Sequence, residues 1–146
     1  PVAAAISTAK FIDTTPADII ELCKTILNSD QEPDYIPEGR FWDLCFHSDT
    51  LHDICKLREN LIQECITDTA RALRALMLGI LHGPTMKNQP SYLSNQMPRT
   101  YCCKPGYSVR YWERHGLHPK KVDVLDVVSR KAEYSFSTLP PGPEEE

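Results

Sequence analysis

The sequence predicts a mostly α-helical protein, with five or six helices, one long polar loop and little or no sheet. Apolar residues recur at helical spacing in several segments, and residues typical of helix starts and stops flank these segments. The chain has 146 residues, 41% hydrophobic and 25% charged, which is typical of one globular domain. We expect a single helical domain or fragment at 1–138 and a Pro/Glu-rich tail or linker at 139–146.

The first predicted helices occupy the N-terminal part of the chain. Residues 2–11 are Ala-rich and helix-prone. A stronger helix is predicted to begin at Thr15, which can cap it, with Pro16 in the first turn and Asp18 near the free N–H groups. Its apolar positions are Ile19, Leu22, Cys23, Ile26 and Leu27, and the segment 28–30 ends it.

The sequence of residues 31–46 indicates a loop followed by a cluster of apolar residues, here called the apolar knot. Two prolines and Gly39 favour a loop over 31–40. The knot that we expect to anchor this loop to the core consists of Phe41, Trp42, Leu44 and Phe46.

Four further segments complete the predicted helices. Ser48 or Asp49 caps a helix whose apolar side is Leu51, Ile54, Leu57 or Arg58, Leu61 and Ile62. The next begins near Asp68 and places Ala70, Leu73, Leu76, Met77, Ile80 and Leu81 on one stripe. It is expected to stop at His82-Gly83-Pro84, with the glycine free to adopt a left-handed conformation.

Two more helices are predicted after the polar loop. A short one runs from Pro105 through Trp112 and ends at Gly116. The last one runs from Val122 to Phe136, and its apolar residues are Val124, Leu125, Val128, Ala132 and Tyr134 or Phe136.

Charge is distributed very unevenly along the chain. Between Pro84 and Lys121, here called the basic segment, there are seven Lys or Arg and one acid, Glu113. The rest of the chain has nine Lys or Arg and nineteen acids, which gives the whole chain its net charge of -4. This asymmetry indicates an anionic partner for one face, with nucleic acid as the first candidate, although a solvated basic face remains the alternative.

The side chains of the basic segment suit nucleic-acid contact. Guanidinium groups match phosphate or a guanine edge, and carboxamides can reach an adenine edge with two hydrogen bonds. The candidates are Arg99 and Lys104, which flank Tyr101 in a loop, Arg110 and Arg114, which share one face of the short helix, and Asn95 and Gln96. The nearby aromatic residues could stack on bases or fill the core, and for Trp112 we favour the core.

Motifs for an autonomous active site are absent from the sequence. It contains no glycine-rich nucleotide loop, nucleophile elbow, paired CxxC or HExxH motif. His115 and His118 with Cys102 and Cys103 make a poor zinc pattern, so no metal is expected. Cys45 with His47 or His52 is a weak candidate for a Cys/His pair, because no oxyanion hole is indicated.

The chain has no apolar run of the ~18 residues that a membrane span needs, and no basic stretch precedes its first apolar patch. We therefore expect a cytoplasmic protein with reduced thiols, no membrane partner, and an N-terminus that is processed or continues into a longer chain.

Three stretches of the chain carry a family resemblance: SNQMPRTY at 94–101, KPGYSVRYW at 104–112 and VDVL at 122–125, with support from EGRFWDLCFH, RALRALMLGILHGP and the opening PVAAAISTAK. Through them, nearly the whole chain resembles bacterial S-adenosylmethionine-dependent DNA methyltransferases that modify exocyclic amines of bases. In that family, this block lies between the cofactor-binding motifs and the catalytic PPY motif. The resemblance implies that the matched residues contact DNA or close over the active site; these are Asn95, Gln96, Arg99, Tyr101 and Lys104, with Arg110 more weakly.

The family's two defining motifs do not occur in this chain. Neither a glycine-rich cofactor loop nor a PPY motif is present. The resemblance thus predicts a DNA-contacting helical segment of a DNA methyltransferase, partnered by DNA and the rest of the enzyme. S-adenosylmethionine is implied for the complete enzyme and is not expected to bind this chain alone. The alternative is a stand-alone helical interaction module that binds RNA or an acidic protein, with Phe41, Trp42 and Phe46 at its interface.

Overall fold

A computed structural model describes residues 12–63, 65–86, 88–99 and 103–137, which form six helices and no strand. The helices are α1 (Pro16–Leu27), α2 (Arg40–Cys45), α3 (Ser48–Gln63), α4 (Asp68–Ile80), α5 (Pro105–Arg114) and α6 (Val124–Phe136). The predicted helical class is confirmed. The expected helical stretch at 2–11 and the tail at 139–146 lie outside the described residues. None of the described helices is both long and apolar enough to span a membrane.

Side chains cap the starts of three helices. Thr15 and Asp18 form a reciprocal capping box at α1, in which each side chain accepts a hydrogen bond from the other residue's backbone N–H. Thr67 and Asp123 each accept a hydrogen bond from the backbone N–H three residues later, at α4 and α6. The start that the sequence predicts for α1 is therefore confirmed.

The core lies where α1 packs against α3, α4 and α6, while α2 packs against α5 at one side. One predicted core position is wrong, because Ile62 is 65% exposed. Of the two alternatives at the end of α6, Phe136 and not Tyr134 is the core residue, since Tyr134 is 82% exposed. Leu61 is buried and Phe136 packs on the core, so the neighbouring apolar residues occupy the inward faces of α3 and α6. The fully buried residues include Ile19, Cys23, Leu57, Leu73, Val127 and Val128.

The apolar knot forms a short helix, α2, that the sequence does not predict. The Phe41 ring lies 5.2 Å from Trp42 and 5.7 Å from Trp112, measured between ring centroids. Phe46 is buried and stacks on Trp42 at 6.4 Å. The knot therefore packs inward and joins α2 to α5, as expected for an anchor.

The irregular segment before α2 is fastened to α3 by adjacent charged residues. The Glu59 carboxylate accepts hydrogen bonds from the backbone N–H of Asp34 at 2.8 Å and of Tyr35 at 3.1 Å. Arg58 donates to the Tyr35 carbonyl at 2.7 Å. The backbone hydrogen bonds are the main cause of the lowered pKa of Glu59. The predicted loop is thus ordered by its contacts with α3.

A buried lysine donates hydrogen bonds to backbone carbonyls at the C-terminal end of α1 and just after it. Lys56 is only 5% exposed, and its Nζ donates to the carbonyls of Leu27, at 3.0 Å, and Ser29. Its positive charge meets the negative end of the helix dipole, which stabilises a cation at that position. This contact couples the end of α1 to the middle of α3.

The Thr50 hydroxyl joins α3 to the segment before α6. Thr50 is fully buried, and its Oγ1 donates to the Val122 carbonyl and accepts from the Val122 N–H, both at 3.0 Å. We expect Thr50→Val to lower the free energy of unfolding by about 2–3 kcal/mol, because both backbone groups lose their partner.

Chemical denaturation of wild type and Thr50→Val measures this change. Thr25→Val is the control, since Thr25 is exposed on α1, and it should change stability by at most about 0.5 kcal/mol. Equal stability of the two variants would contradict a structural role for the Thr50 hydroxyl.

Candidate nucleic-acid interface

The first part of the basic segment is an irregular loop that connects α4 to α5. It has no strand or helix in its described parts, 84–86, 88–99 and 103–104. Leu93 is buried, and its N–H donates to the Ile80 carbonyl at 2.9 Å, which fixes the loop to the end of α4. The loop is therefore shaped by individual contacts with the helices.

Asn95 is the central hydrogen-bonding residue of this loop. Its side-chain Nδ2 donates to the carbonyls of Leu44 at 2.9 Å and Leu117 at 3.2 Å, and its Oδ1 accepts from the Gln96 N–H at 2.8 Å. Its own N–H donates to the Cys45 carbonyl at 2.6 Å. Asn95 is 7% exposed. The carboxamide donor and acceptor that an adenine edge would need are thus both engaged inside the protein.

Gln96 also has internal partners, although its side chain is only half-buried. Its Oε1 accepts from the Thr85 N–H at 2.7 Å, and its Nε2 donates to the Met97 carbonyl at 3.1 Å. Its carbonyl accepts from Trp112 Nε1 at 2.6 Å. Trp112 is fully buried, so its predicted place in the core is confirmed.

Gly83 is needed for close packing and does not provide a left-handed turn. The predicted left-handed conformation is wrong: among the described residues, Gly39 and Gly116 alone have a positive φ. The Tyr92 ring instead lies directly against the Gly83 backbone, where a Cβ atom would overlap the ring. On the same ring, Lys131 makes a cation–π contact at 5.6 Å.

Three basic side chains gather at the start of α5. Lys104 occupies the N-cap position without a side-chain cap, and the first turn has no acid. The Arg99 guanidinium lies 5.8 Å from the Tyr107 ring centroid, and Tyr107 belongs to that first turn. The Arg110 side chain folds back toward this first turn, and its Nη1 atom lies 3.6 Å from the point that a Cβ atom added to Gly106 would occupy. We call Arg99, Lys104 and Arg110 the cation cluster.

The end of α5 is closed by glycine, as the sequence predicts. Gly116 has a φ of +60°. The N–H of Leu117 donates to the Trp112 carbonyl at 2.9 Å, and the N–H of Gly116 donates to the Glu113 backbone carbonyl at 3.3 Å. These bonds form a Schellman motif. The turn directs the chain back past Asn95, whose side chain binds the Leu117 carbonyl.

Two ion pairs join the basic segment to the rest of the chain, one neutralising its acid and the other one of its lysines. Glu113, the one acid of the basic segment, pairs with Arg40 at 2.8 Å. Lys121 pairs with Asp49 at 2.7 Å, which raises the pKa of the lysine and lowers that of the aspartate. Within the described part of the chain, Lys104, Arg110, Arg114 and Lys120 belong to the basic segment and have no ion pair.

The predicted contact residues thus divide into two groups. Asn95 and Gln96 hold the loop, whereas Lys104 and Arg110 are exposed and Arg99 is exposed over Tyr107. Tyr101 lies outside the described residues. Arg40 neutralises Glu113 from a distant part of the chain, and no local sequence pattern indicates this pairing.

The cysteine and histidine residues do not form the pair considered from the sequence. Cys45 Sγ lies 4.0 Å from His82 Nδ1, while His52 binds Glu32 and Asp53. Burial raises the pKa of Cys45 to about 12, which keeps the thiol protonated at neutral pH. Within the described ranges, no group of three or more Cys, His, Asp or Glu residues is placed to hold a metal ion.

No protein family, curated protein or solved structure that was compared matches this chain. The described residues also lack the strand-borne acid and glycine-rich loop that S-adenosylmethionine sites of the resembling family use. The residues in this part of the chain therefore do not make up a complete site for that cofactor.

Buried thiols should resist alkylation in the native protein. Burial raises the pKa of Cys23 and Cys45 to about 12, so iodoacetamide at pH 8 should modify Cys103, which is half-buried, before either of them. Peptide mass mapping against reaction time measures this order. Early modification of Cys45 would instead revive the hypothesis of a reactive Cys/His pair.

Asn95→Ala should lower the free energy of unfolding by about 2–4 kcal/mol, because the Leu44 and Leu117 carbonyls and the Gln96 N–H lose their partner. Thermal and urea denaturation measure the loss. Asn88→Ala serves as the control, since Asn88 is exposed in the same loop. A stability change equal to that of the control would contradict the structural role of Asn95.

Proposed function

We propose that the chain binds DNA through the cation cluster and acts as the DNA-contacting helical segment of an S-adenosylmethionine-dependent DNA methyltransferase. The observation that carries this proposal is the meeting of Arg99, Lys104 and Arg110 at the uncapped first turn of α5. The sequence resemblance supplies the enzyme class. The proposed partners are DNA and the remaining parts of the methyltransferase, and the proposed compartment is the cytoplasm.

The electrostatics at α5 support an anionic partner. The N-terminal N–H groups of a helix carry a partial positive charge, which adds to the charges of nearby cations. At α1, α4 and α6, an oxygen from a Thr or Asp side chain occupies the corresponding position. At α5 the N-cap is a lysine without a side-chain cap, and the Tyr107 N–H donates instead to the Lys104 carbonyl at 2.9 Å. No hydroxyl or carboxylate of the N-cap residue therefore offsets the positive end of α5.

The arrangement of the loop supports DNA contact by a preformed surface. Asn95 and Gln96 fix the loop against α2 and α5, and the cation cluster follows immediately along the chain. Phosphate contacts position a protein on the duplex and dominate its affinity. The cluster is therefore assigned to phosphate contact, with methyl transfer left to other parts of the complete enzyme.

Binding to a mixed-sequence DNA duplex should weaken steeply as salt rises, because phosphate contacts release counterions. Arg99→Ala and Lys104→Ala should each weaken binding several-fold and reduce the slope of log K against log salt by about 0.9. Fluorescence anisotropy across a salt series measures both quantities.

Lys24→Ala is the matched control, because Lys24 is exposed on α1 outside the basic segment; it should leave affinity and slope unchanged. Binding that ignores salt and both variants would contradict the proposal. Equally tight binding of polyglutamate, displaced by DNA at the same site, would favour the acidic-protein alternative instead.

A further inference from the structure

An apolar pocket of about 340 Å³ lies among α2, α3 and α4. Its volume is within the range of about 300–1,000 Å³ that is usual for small-molecule sites. We call it the helix pocket, and none of the described residues that line it belongs to the basic segment. Its walls include Trp42 and Phe46 at the end of the apolar knot, Leu51 and Ile54 of α3, and Met77 and Leu78 of α4.

The walls of the helix pocket are fixed by contacts within the protein. Phe46, Leu51 and Met77 are buried members of the core. Pro37 also lines the pocket, and it follows the residues that Glu59 fastens to α3 through their backbone N–H groups. A ligand therefore meets apolar walls whose positions are set before it binds, which lowers the entropic cost of association.

The charged groups of the helix pocket are all positive. Arg58 and Arg74 line it, and no Asp or Glu does so among the described residues. Arg58 already has partners, since its Nη2 donates to the Tyr35 carbonyl at 2.7 Å and to the Glu59 carboxylate at 2.9 Å. Glu59 is not part of the lining, so the pocket itself contains no anion.

Arg74 is the unpaired cation of the helix pocket. It is half-buried on α4, and within the described part of the chain it has no ion pair or hydrogen bond. A guanidinium beside apolar walls loses hydration, and a partner anion offsets that cost. A carboxylate suits it best, because the two oxygens match two parallel N–H groups of the guanidinium.

We propose that the helix pocket binds a medium-chain alkanoate, with its alkyl chain against the apolar walls and its carboxylate paired with Arg74. A neutral hydrocarbon would leave the guanidinium unpaired, and a polar anion such as inorganic phosphate would leave the apolar walls without contacts. The inference is independent of the proposed DNA binding, because the pocket and the cation cluster share no residue.

Isothermal titration calorimetry with four small ligands tests the two halves of this recognition. We expect one octanoate to bind each chain. The alcohol 1-octanol, which has the same chain and no charge, should bind about 10-fold more weakly, and cationic octylamine more weakly still. Hexanoate should also bind about 10-fold more weakly than octanoate, because it buries two fewer methylene groups.

Arg74→Gln removes the proposed carboxylate partner and keeps a side chain of similar length. It should bring octanoate to the affinity of 1-octanol and leave 1-octanol unchanged. Arg71→Gln is the matched control, because Arg71 is exposed on the same helix and lies outside the pocket lining; it should retain the 10-fold preference for octanoate.

Leu78→Trp fills the pocket and should abolish binding of both ligands. Its control is Ile66→Trp, since Ile66 is 78% exposed and outside this lining. Thermal denaturation of each variant shows whether it is folded, and the Arg74→Gln comparison stands without the Leu78 variant.

Three results would overturn the inference. One is the absence of octanoate binding, and another is equal affinity for octanoate and 1-octanol in the wild type. The third is an octanoate affinity that Arg74→Gln leaves unchanged, which would place the carboxylate elsewhere. None of these results changes the expected DNA affinity or its salt dependence, so the proposed function is tested separately.

Discussion

The side chain of Asn95 is the contact on which the shape of the basic face depends. One carboxamide reaches the Leu44 carbonyl at the end of α2 and the Leu117 carbonyl after α5, and it also accepts from the adjacent Gln96 N–H. These partners are separated by 51 and 22 residues from Asn95 along the chain. A loop without regular secondary structure thus acquires a fixed path between two helices. The positions of Gln96 and of the following basic residues depend on it.

The arrangement of charges follows from the same packing. α2 lies against α5, so Arg40 at the start of α2 reaches Glu113 near the end of α5. In this pair Arg40 neutralises Glu113, the only acid of the basic segment. Glu113 therefore does not compete with an external anion for the neighbouring cations. Surface ion pairs of this kind add little to stability. Its main effect here is on the local potential, which remains positive around α5.

The helices could be predicted from the sequence because their signals are local. Thr15 caps α1 as expected, and Gly116 ends α5 as expected. α2 was missed because six residues contain too few turns to show a helical period.

The site was less predictable. The Asn95 carboxamide is of the kind that reads base edges, and the residues that follow it in the basic segment carry the positive charge that DNA binding needs. In the structure, however, its partners are backbone carbonyls from distant segments. Only packing assigns those carbonyls to it, and the same is true of Gly83, whose role depends on Tyr92.

The long-range contacts of the loop also tie ligand binding to the folding equilibrium. Because Asn95 joins segments that are distant in sequence, the cation cluster is brought into position only when α2, α5 and the connecting loop are assembled. The unfolded chain has the same charges without this geometry. Any anion that recognises the assembled surface therefore binds the native state selectively and raises its stability by mass action, by about 2.7 kcal/mol at a ligand concentration 100 times Kd. Occupancy of the surface and persistence of the fold are thus thermodynamically linked.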